Sequence, residues 1–237
     1  MKLDATQDMD DEDKDIPDTK ISVYDGFATI NLTGPICSKT VEPVIEFIMD
    51  VNFDNKHGIG HINLFIDSVG GDASIAFKLI ELMGISNVPV VTFGWGTVSS
   101  AAFLIFMAGT ARLISRNATV LSHPASATYY GWTVKSNDFA PMGREMDYMH
   151  RRLVEHYMSC GENDEKYVKK HLLTKSDVYL TSAEVIEHGY ADGYIHDFKL
   201  EEFGVDNGEE IDDNGAPTED GAVNEDQQTH DAGTEAV

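Results

Sequence analysis

The stretch that decides the fold reads INLFIDSVGGDASIAFKLIELMGI and covers residues 62–85. It begins with a short apolar run at residues 62–66, which is typical of a strand buried in a sheet. The glycine pair Gly70-Gly71 then marks a tight turn. Beyond the turn, the spacing of apolar residues predicts a helix over Ala73–Ile85. The apolar residues of this helix lie on one stripe: Ala76, Leu79, Ile80 and Met83.

The same alternation of strand and helix continues on both sides of this stretch. Further strands are predicted at residues 27–32, 89–93, 111–114 and 118–122. Further helices are predicted at residues 38–51, 99–108 and 142–158. This order predicts one α/β domain with a mostly parallel sheet over residues 21–200.

The predicted helix at residues 142–158 carries methionine and aromatic residues along one side. They recur at a spacing of three to four residues: Met142, Met146, Met149, Leu153 and Tyr157. Such a stripe packs either on its own domain or on a neighbouring subunit, and the pattern alone does not choose between the two.

Acidic residues are concentrated at the two ends of the chain, whose formal net charge is −24. Residues 1–20 carry eight acidic residues against three lysines, and residues 201–237 carry thirteen against no lysine or arginine. Because both segments lack the apolar residues that offset ordering entropy, we predict a disordered acidic arm and a disordered acidic tail there. Such a chain repels phosphate backbones and anionic lipid surfaces, so neither nucleic acid nor a membrane is expected as a partner.

The sequence predicts a cytoplasmic location. The first residues, MKLDATQDMDDEDKD, lack the apolar core of a signal peptide. The longest clean apolar run, at residues 101–108, is far short of the ~20 residues that span a bilayer. Cys37 and Cys160 stand in unrelated contexts, which indicates small core residues in a reducing compartment. His156 lies one helical turn from Cys160, but two ligands do not complete a zinc site, and no metal is predicted.

Two turns between a strand and a helix carry candidate chemistry. In Ser68-Val69-Gly70-Gly71, adjacent glycines permit close approach of another chain, and free N–H groups near a helix start attract negative charge. The same residues also fit an ordinary strand–helix turn. The second turn, GWGTVSSAA at residues 94–102, places Ser99 and Ser100 where a helix begins. Either serine fits an N-cap or a nucleophile whose oxyanion the helix field would favour.

A serine nucleophile needs a general base, usually histidine, and a carboxylate that orients the base. Of the nine histidines, only His123 directly follows an apolar strand and precedes a proline. That places it at a strand end, where catalytic side chains of α/β folds tend to lie. A polar residue satisfied within a loop is the alternative for His123, and spacing alone does not select the carboxylate. The G-x-S-x-G motif of the α/β-hydrolases is absent.

Together these segments resemble the proteolytic subunit of Clp protease, the ClpP family of serine peptidases, over about residues 28–197. Five segments match family motifs in order: IDSVGG at 66–71, GTVSSAA at 96–102, NATVLSH at 117–123, DVYLTSAE at 177–184 and GYAD at 189–192. The family patterns are I-N-S-P-G-G, G-x-A-A-S-M-G, N-S-R-x-M-I-H, D-R-F-L-S-A-x-E and G-L-V-D. Some residues depart from these patterns, which is consistent with a divergent viral or accessory member: Asp67, Val69, Ala101 and Pro124.

The resemblance implies a catalytic triad and an oxyanion hole. It places the nucleophile on Ser100 and not on Ser99. It places the base on His123 and the acid on Asp177. The oxyanion hole is implied to be built from two backbone N–H groups, those of Gly70 and Ala101.

The resemblance also implies an architecture, which is a ClpP/crotonase-like spiral of β-β-α units with a protruding handle at about residues 125–173. Family members form two stacked heptameric rings that enclose the active sites, so we expect a homo-oligomer. Its substrates would be unfolded or delivered proteins, and its partner an AAA+ unfoldase of the Clp type. No cofactor is expected in this chain, because ATP would be used only by that unfoldase.

Three other functions are compatible with the residues. The first is a peptidase that matures a viral capsid or scaffold without an unfoldase. The second is an acyl-CoA enzyme of the crotonase type, which also places two backbone N–H groups around a thioester oxygen. The third is a catalytically silent ring subunit. The serine, histidine and aspartate of the implied triad argue against the last two.

Overall fold

A computed structural model describes residues 17–126 and 135–197 of the chain. The described part contains eight strands: β1 (Lys20–Val23), β2 (Phe27–Thr33), β3 (His61–Ser68), β4 (Val90–Ser99), β5 (Arg112–Ile114), β6 (Thr119–Ser122), β7 (Val178–Leu180) and β8 (Gly193–Tyr194). Its α-helices are α1 (Ser38–Phe53), α2 (Ala73–Ile85), α3 (Ala101–Met107), α4 (Phe139–Cys160), α5 (Glu165–Tyr167) and α6 (Ser182–Glu187). The α5 helix continues as a π-helical turn over Val168–Leu172, and a 3₁₀ turn follows β8 at Ile195–Asp197.

All eight strands belong to one sheet. Six of them follow the order β1-β2-β3-β4-β5-β8, while β6 pairs with β4, and β7 pairs with β6. Pairing is parallel except at two places, where β1 is antiparallel to β2 and β7 is antiparallel to β6. The α/β fold with a mostly parallel sheet is therefore confirmed. Parallel neighbours need long crossover connections, which α1, α2 and α3 supply between successive strands.

The core lies on one face of β2 and β3, because alternate residues of a strand point to the same side. The inward residues of these strands are fully buried: Ala28, Ile30, Leu32, Ile62, Leu64 and Ile66. They share one hydrophobic cluster with the buried sides of α1 and α2 and with α3. Every residue of α3 is buried, so this helix occupies the centre of the molecule.

The β4 strand continues beyond residue 93, where the sequence predicts that it ends. The strand reaches Ser99 because its pairing register with β3 shifts at the glycines. Ile66 pairs with Gly94, whereas Ser68 pairs with Val98. Between these two pairs β4 has more residues than β3, and Asp67 fixes this part of β4, since its carboxylate accepts a hydrogen bond of 2.7 Å from the Thr97 N–H. The first half of β4 pairs with β5 and the second half with β6.

The α4 helix spans the predicted methionine stripe, and its two halves differ in burial. The buried residues all lie in the second half: Leu153, Val154, His156 and Tyr157. Met142, Met146 and Met149 in the first half are only partly buried. The last turns of the helix therefore pack on their own domain, which answers one part of the question that the stripe raised.

The described residues all belong to one compact unit. Of the predicted acidic arm, only residues 17–20 are described, and Lys20 begins β1. The predicted acidic tail at residues 201–237 lies outside the described residues, as do residues 127–134 of the predicted handle region. Within residues 17–126 and 135–197, none of the helices has the length and apolarity needed to cross a bilayer.

Candidate active site

Ser100 stands between β4, which ends at Ser99, and α3, which begins at Ala101. Its torsion angles are φ 54° and ψ −123°, and no other non-glycine residue in the described part of the chain has a positive φ. Such a conformation costs about 1–3 kcal/mol, and strain of this kind is concentrated at functional sites. The Ser100 N–H donates to the Leu121 carbonyl of β6 at 2.8 Å, which fixes the turn to the neighbouring strand.

The glycine turn after β3 packs directly against this serine. Gly70 has φ 91°, a conformation that favours glycine. A side-chain carbon built on Gly70 would lie 2.5 Å from the Ser99 carbonyl oxygen, 2.7 Å from Ser100 Cβ and 3.0 Å from the Ala101 nitrogen. The two turns that carry candidate chemistry in the sequence are thus in contact, and only glycine fits between them.

His123 follows the last residue of β6 and reaches the serine. Its Nε2 lies 2.7 Å from Ser100 Oγ, and its Nδ1 lies 2.7 Å from the carbonyl oxygen of Pro124. A carbonyl oxygen only accepts, so Nδ1 carries the proton and donates it to Pro124. In that tautomer, the lone pair of Nε2 is free to accept the proton of the serine hydroxyl, as a general base requires.

Asp177 is exposed, and within the described residues its carboxylate makes no hydrogen bond to His123. It immediately precedes β7, whose first residue, Val178, pairs with Ser122 of β6 in antiparallel register. Continued by one residue beyond this last pair, the register would set Asp177 opposite His123. Directly opposite residues of an antiparallel pair have Cβ atoms ~4.5–5.5 Å apart.

The two N–H groups implied for the oxyanion hole differ in their present partners. Ala101 is the first residue of α3, so its N–H has no acceptor within the helix. The Gly70 N–H donates to the side-chain oxygen of Ser68 at 3.1 Å. An oxyanion bound by both groups would therefore replace the Ser68 hydroxyl as acceptor of the Gly70 hydrogen.

A cleft of about 310 Å³ opens beside Ser100 and His123. Its apolar side is formed from α3 and α4 by five residues: Leu104, Met146, Met149, Leu153 and Tyr157. Two carboxylates, Asp72 and Glu145, also line it, and no lysine or arginine does so among the described residues. The methionines of the predicted stripe thus form part of the wall of the candidate site.

His156 and Cys160, which the sequence places one helical turn apart, lie in contact at the end of α4. The two ring nitrogens of His156 lie 3.7 and 3.8 Å from Cys160 Sγ. Burial lowers the pKa of the His156 imidazole and raises the pKa of the Cys160 thiol, so both groups are held neutral. In residues 17–126 and 135–197, no three His, Cys, Asp or Glu side chains gather closely enough to bind a metal ion.

Comparison with known proteins identifies the family of the chain. The family model described as Clp protease matches residues 18–197, which is most of the chain. The chain belongs to the Clp protease family. Membership of the Clp protease family identifies it as a peptidase, which confirms the resemblance seen in the motifs.

Two relatives illustrate the degree of similarity within the Clp protease family. An "ATP-dependent Clp protease proteolytic subunit 2" from Treponema denticola is 30% identical over 162 residues, which cover 68% of this chain and 78% of that protein. An "ATP-dependent Clp protease proteolytic subunit" from Streptococcus uberis is 25% identical over 175 residues, which cover 72% of this chain and 86% of that protein.

The structure brings together Ser100, His123, Gly70 and Ala101, whereas the side chain of Asp177 stays apart. The contribution of the Pro124 carbonyl was missed, because a backbone acceptor leaves no trace in residue type.

Proposed function

We propose that this peptidase is a serine endopeptidase in which Ser100 is the nucleophile and His123 the general base. The observation that carries the proposal is the 2.7 Å contact between His123 Nε2 and Ser100 Oγ, with Nδ1 protonated toward Pro124. This tautomer can take the serine proton without prior rearrangement.

The reaction has two stages. Ser100 Oγ attacks the carbonyl carbon of the peptide bond while His123 takes the hydroxyl proton, and the carbonyl oxygen becomes an oxyanion. His123 then gives the proton to the leaving amine, and the acyl group remains on Ser100 as an ester. A water molecule, deprotonated by His123, attacks this ester, and breakdown of the second intermediate releases the acid and restores the hydroxyl.

The N–H groups of Ala101 and Gly70 are proposed to hold the oxyanion. The orphan N–H at the start of α3 and the contact of Gly70 with the Ser99–Ala101 backbone support this assignment. Each such donor is worth about 10²–10³ in rate. The Ser68 hydroxyl occupies the Gly70 N–H at rest, and its departure accompanies binding of the carbonyl oxygen.

Asp177 is proposed to be the acid of the triad. Its support is the β6–β7 register, which would set the acid opposite His123 if continued by one residue. A carboxylate at Nδ1 would keep the imidazole in the working tautomer and stabilise the imidazolium that forms during attack, a charge that the Pro124 carbonyl stabilises less.

Unfolded or delivered protein segments are the proposed substrates, and a homo-oligomer of two stacked heptameric rings is the proposed assembly. Large apolar side chains that stand exposed on a single chain support association: Phe53, Ile85, Phe139 and Tyr179. The two relatives are named ATP-dependent, and the sequence lacks the G-x-x-x-x-G-K-[ST] loop of nucleotide hydrolases. A separate AAA+ unfoldase of the Clp type is therefore proposed to use the ATP.

Labelling with a fluorophosphonate probe tests the nucleophile, because such a probe reacts only with an activated serine. We expect Ser100→Ala to abolish labelling, since the attacking oxygen is gone. Ser99→Ala is the matched control: it removes the adjacent hydroxyl, and it should label close to the wild-type rate. Equal labelling of Ser100→Ala and wild type, or loss of labelling only in Ser99→Ala, would overturn the assignment.

A further inference from the structure

Ser122, the last residue of β6, has a fully buried hydroxyl directly before the base His123. Its Oγ lies 2.6 Å from the hydroxyl of Tyr157 and 2.8 Å from the carbonyl oxygen of Leu172. Two short hydrogen bonds thus meet at Ser122 Oγ, and the next residue is His123, the proposed general base.

The direction of the two bonds follows from the groups involved. The Leu172 carbonyl only accepts, so Ser122 donates its single hydroxyl proton to it. Tyr157 must therefore donate to Ser122. Burial raises the pKa of Tyr157 far above its ordinary value, so the phenol keeps the proton that this bond needs.

This chain of donors joins three parts of the site. Ser122 lies on the strand that presents His123, and Leu172 closes the π-helical turn that leads to Asp177. Tyr157 belongs to α4 and also lines the cleft beside Ser100. The hydroxyl pair is thus the polar link between the segment of the base, the segment of the acid and the wall of the cleft.

The ring of Tyr157 is fixed independently of its hydroxyl. It meets Phe103 edge to face at 5.9 Å between ring centroids, and Tyr190 at 5.5 Å. Phe103 lies on α3, the helix that starts next to the nucleophile. A phenylalanine at position 157 would keep these contacts and lose only the hydrogen bond to Ser122.

We propose that Ser122 and Tyr157 are positioning residues, which hold His123 at working distance from Ser100 and set the segment of Asp177 beside it. The proposal rests on the serine-peptidase function proposed above. Without the Tyr157 donor, the end of β6 and the turn at Leu172 gain freedom, and the imidazole spends less time in line with the hydroxyl. Substrate contacts in the cleft change little, so the effect falls on kcat more than on KM.

The test compares Tyr157→Phe with the matched control Tyr190→Phe. Tyr190 is a buried neighbour in the same aromatic cluster, and among the described residues its hydroxyl accepts one long contact, 3.4 Å from the Asn163 amide. We expect Tyr157→Phe to lower kcat for a peptide substrate and the rate constant of fluorophosphonate labelling by about 10- to 100-fold, since misplacement by ~1 Å can cost 10²-fold. KM should change less than about twofold, and Tyr190→Phe should match wild type.

The amplitude of labelling separates positioning from folding. A positioning role lowers the rate constant while the final labelled fraction stays at the wild-type level, whereas partial unfolding lowers that fraction. Ser122→Ala alone leaves the buried Tyr157 hydroxyl without its partner, whereas the double variant Ser122→Ala/Tyr157→Phe removes both hydroxyls. The double variant should therefore unfold at a higher denaturant concentration than Ser122→Ala and should still react slowly with the probe.

Three results would overturn the proposal. One is a wild-type rate constant for Tyr157→Phe, and another is an equal loss in Tyr190→Phe. The third is a loss of labelled fraction in Tyr157→Phe without a loss of rate constant. If Ser100→Ala abolishes labelling in the same series, these results reject the positioning role alone. If Ser100→Ala labels like wild type, the proposed peptidase mechanism fails as well.

Discussion

Gly70 and Ser100 both have positive φ, at 91° and 54°, and the two residues touch. Each conformation is unfavourable for a residue that carries a side chain. The absence of a side chain at position 70 lets the Ser99–Ala101 backbone approach, and this approach gathers the hydroxyl and the N–H groups at one point. Small changes at either residue should therefore affect chemistry more than folding.

Gly70→Ala tests this dependence. The new carbon would lie 2.5 Å from the Ser99 carbonyl oxygen, so the turn must move and the Gly70 N–H moves with it. We expect kcat to fall by about 10²-fold or more, the typical cost of losing one oxyanion donor. The measurement is steady-state peptide hydrolysis on protein of verified native mass.

Gly84→Ala is the control for this substitution, because a side-chain carbon at position 84 on α2 meets no atom within 4 Å. It should leave kcat unchanged and raise stability by up to about 0.5–1 kcal/mol, the helix preference for alanine over glycine. A Gly70→Ala enzyme with wild-type kcat would show that this turn is not part of the catalytic apparatus.

The two glycine turns could be located from residue types, whereas the contacts of individual side chains could not. The sequence marks the Gly70-Gly71 pair and the serines at 99 and 100, and in the structure Gly70 lies against Ser100. The Ser122–Tyr157 hydrogen bond links positions 35 residues apart. A serine in a strand or a tyrosine in a helix does not indicate by its residue type which side chain it will bond. Such pairs follow from packing alone, so a sequence pattern does not contain them.

Among the secondary-structure elements, α4 connects the candidate site with the rest of the core. Its His156 donates from Nε2 to the Leu104 carbonyl of α3 at 2.9 Å and meets Phe77 of α2 edge to face. Three helices thus meet at one imidazole that burial keeps neutral, because burial lowers its pKa. The free energy of unfolding should then depend on pH through this group.

His156→Gln tests the dependence, since the glutamine amide can keep the donor to Leu104 but does not titrate. The pKa of His156 is lower in the folded protein than in the unfolded chain, so the unfolded chain binds more protons at mildly acidic pH. Stability of the wild type should fall as pH drops through about 6.5, the unfolded value. The variant should lose less over the same range.

Urea unfolding of both proteins at pH 7.5, 6.5 and 5.5 measures this difference, because groups common to both proteins cancel. Glu81 acts in the opposite direction, since its charge raises the pKa of His156, but burial is the larger effect. Parallel pH dependence in wild type and His156→Gln would contradict the idea that this imidazole is kept neutral by the fold.

Elements with a strong apolar period were predictable and short edge elements were not. The helix Ala73–Ile85 has the predicted bounds, because its stripe and the Asp72 cap agree. In contrast, β1 and β7 are four and three residues long, too short to show a period, and antiparallel pairing with β2 and β6 defines them. The second half of β4, residues 94–99, was interpreted as a turn, since two glycines usually end a strand. The strand continues because the Asp67 carboxylate binds the Thr97 N–H beyond the glycines.

On the scale of the whole molecule, one chain holds the nucleophile and base in contact but leaves the acid exposed. The exposed apolar side chains and the position of Asp177 would both change if neighbouring copies pack against the chain. Assembly is therefore proposed to complete the triad, with Asp177 replacing the Pro124 carbonyl at His123 Nδ1.

Asp177→Asn tests the completed triad, because the amide keeps the shape and removes the charge. We expect kcat to fall by as much as about 10⁴-fold, the loss known for a triad whose acid becomes an amide. The assay is peptide hydrolysis, with native mass spectrometry of the same sample to show that the assembly is unchanged. Full activity of Asp177→Asn would mean that the Pro124 carbonyl alone orients the base.

The change of partner along β4 has a consequence for how this chemistry could evolve. Because Ser99 and Leu121 are paired neighbours, the backbones that lead to the attacking residue and to the base lie one strand spacing apart, ~4.8 Å. That spacing is common to every sheet and owes nothing to the surrounding loops. Lineages could therefore exchange the loops that choose a substrate while inheriting the same reactive pair.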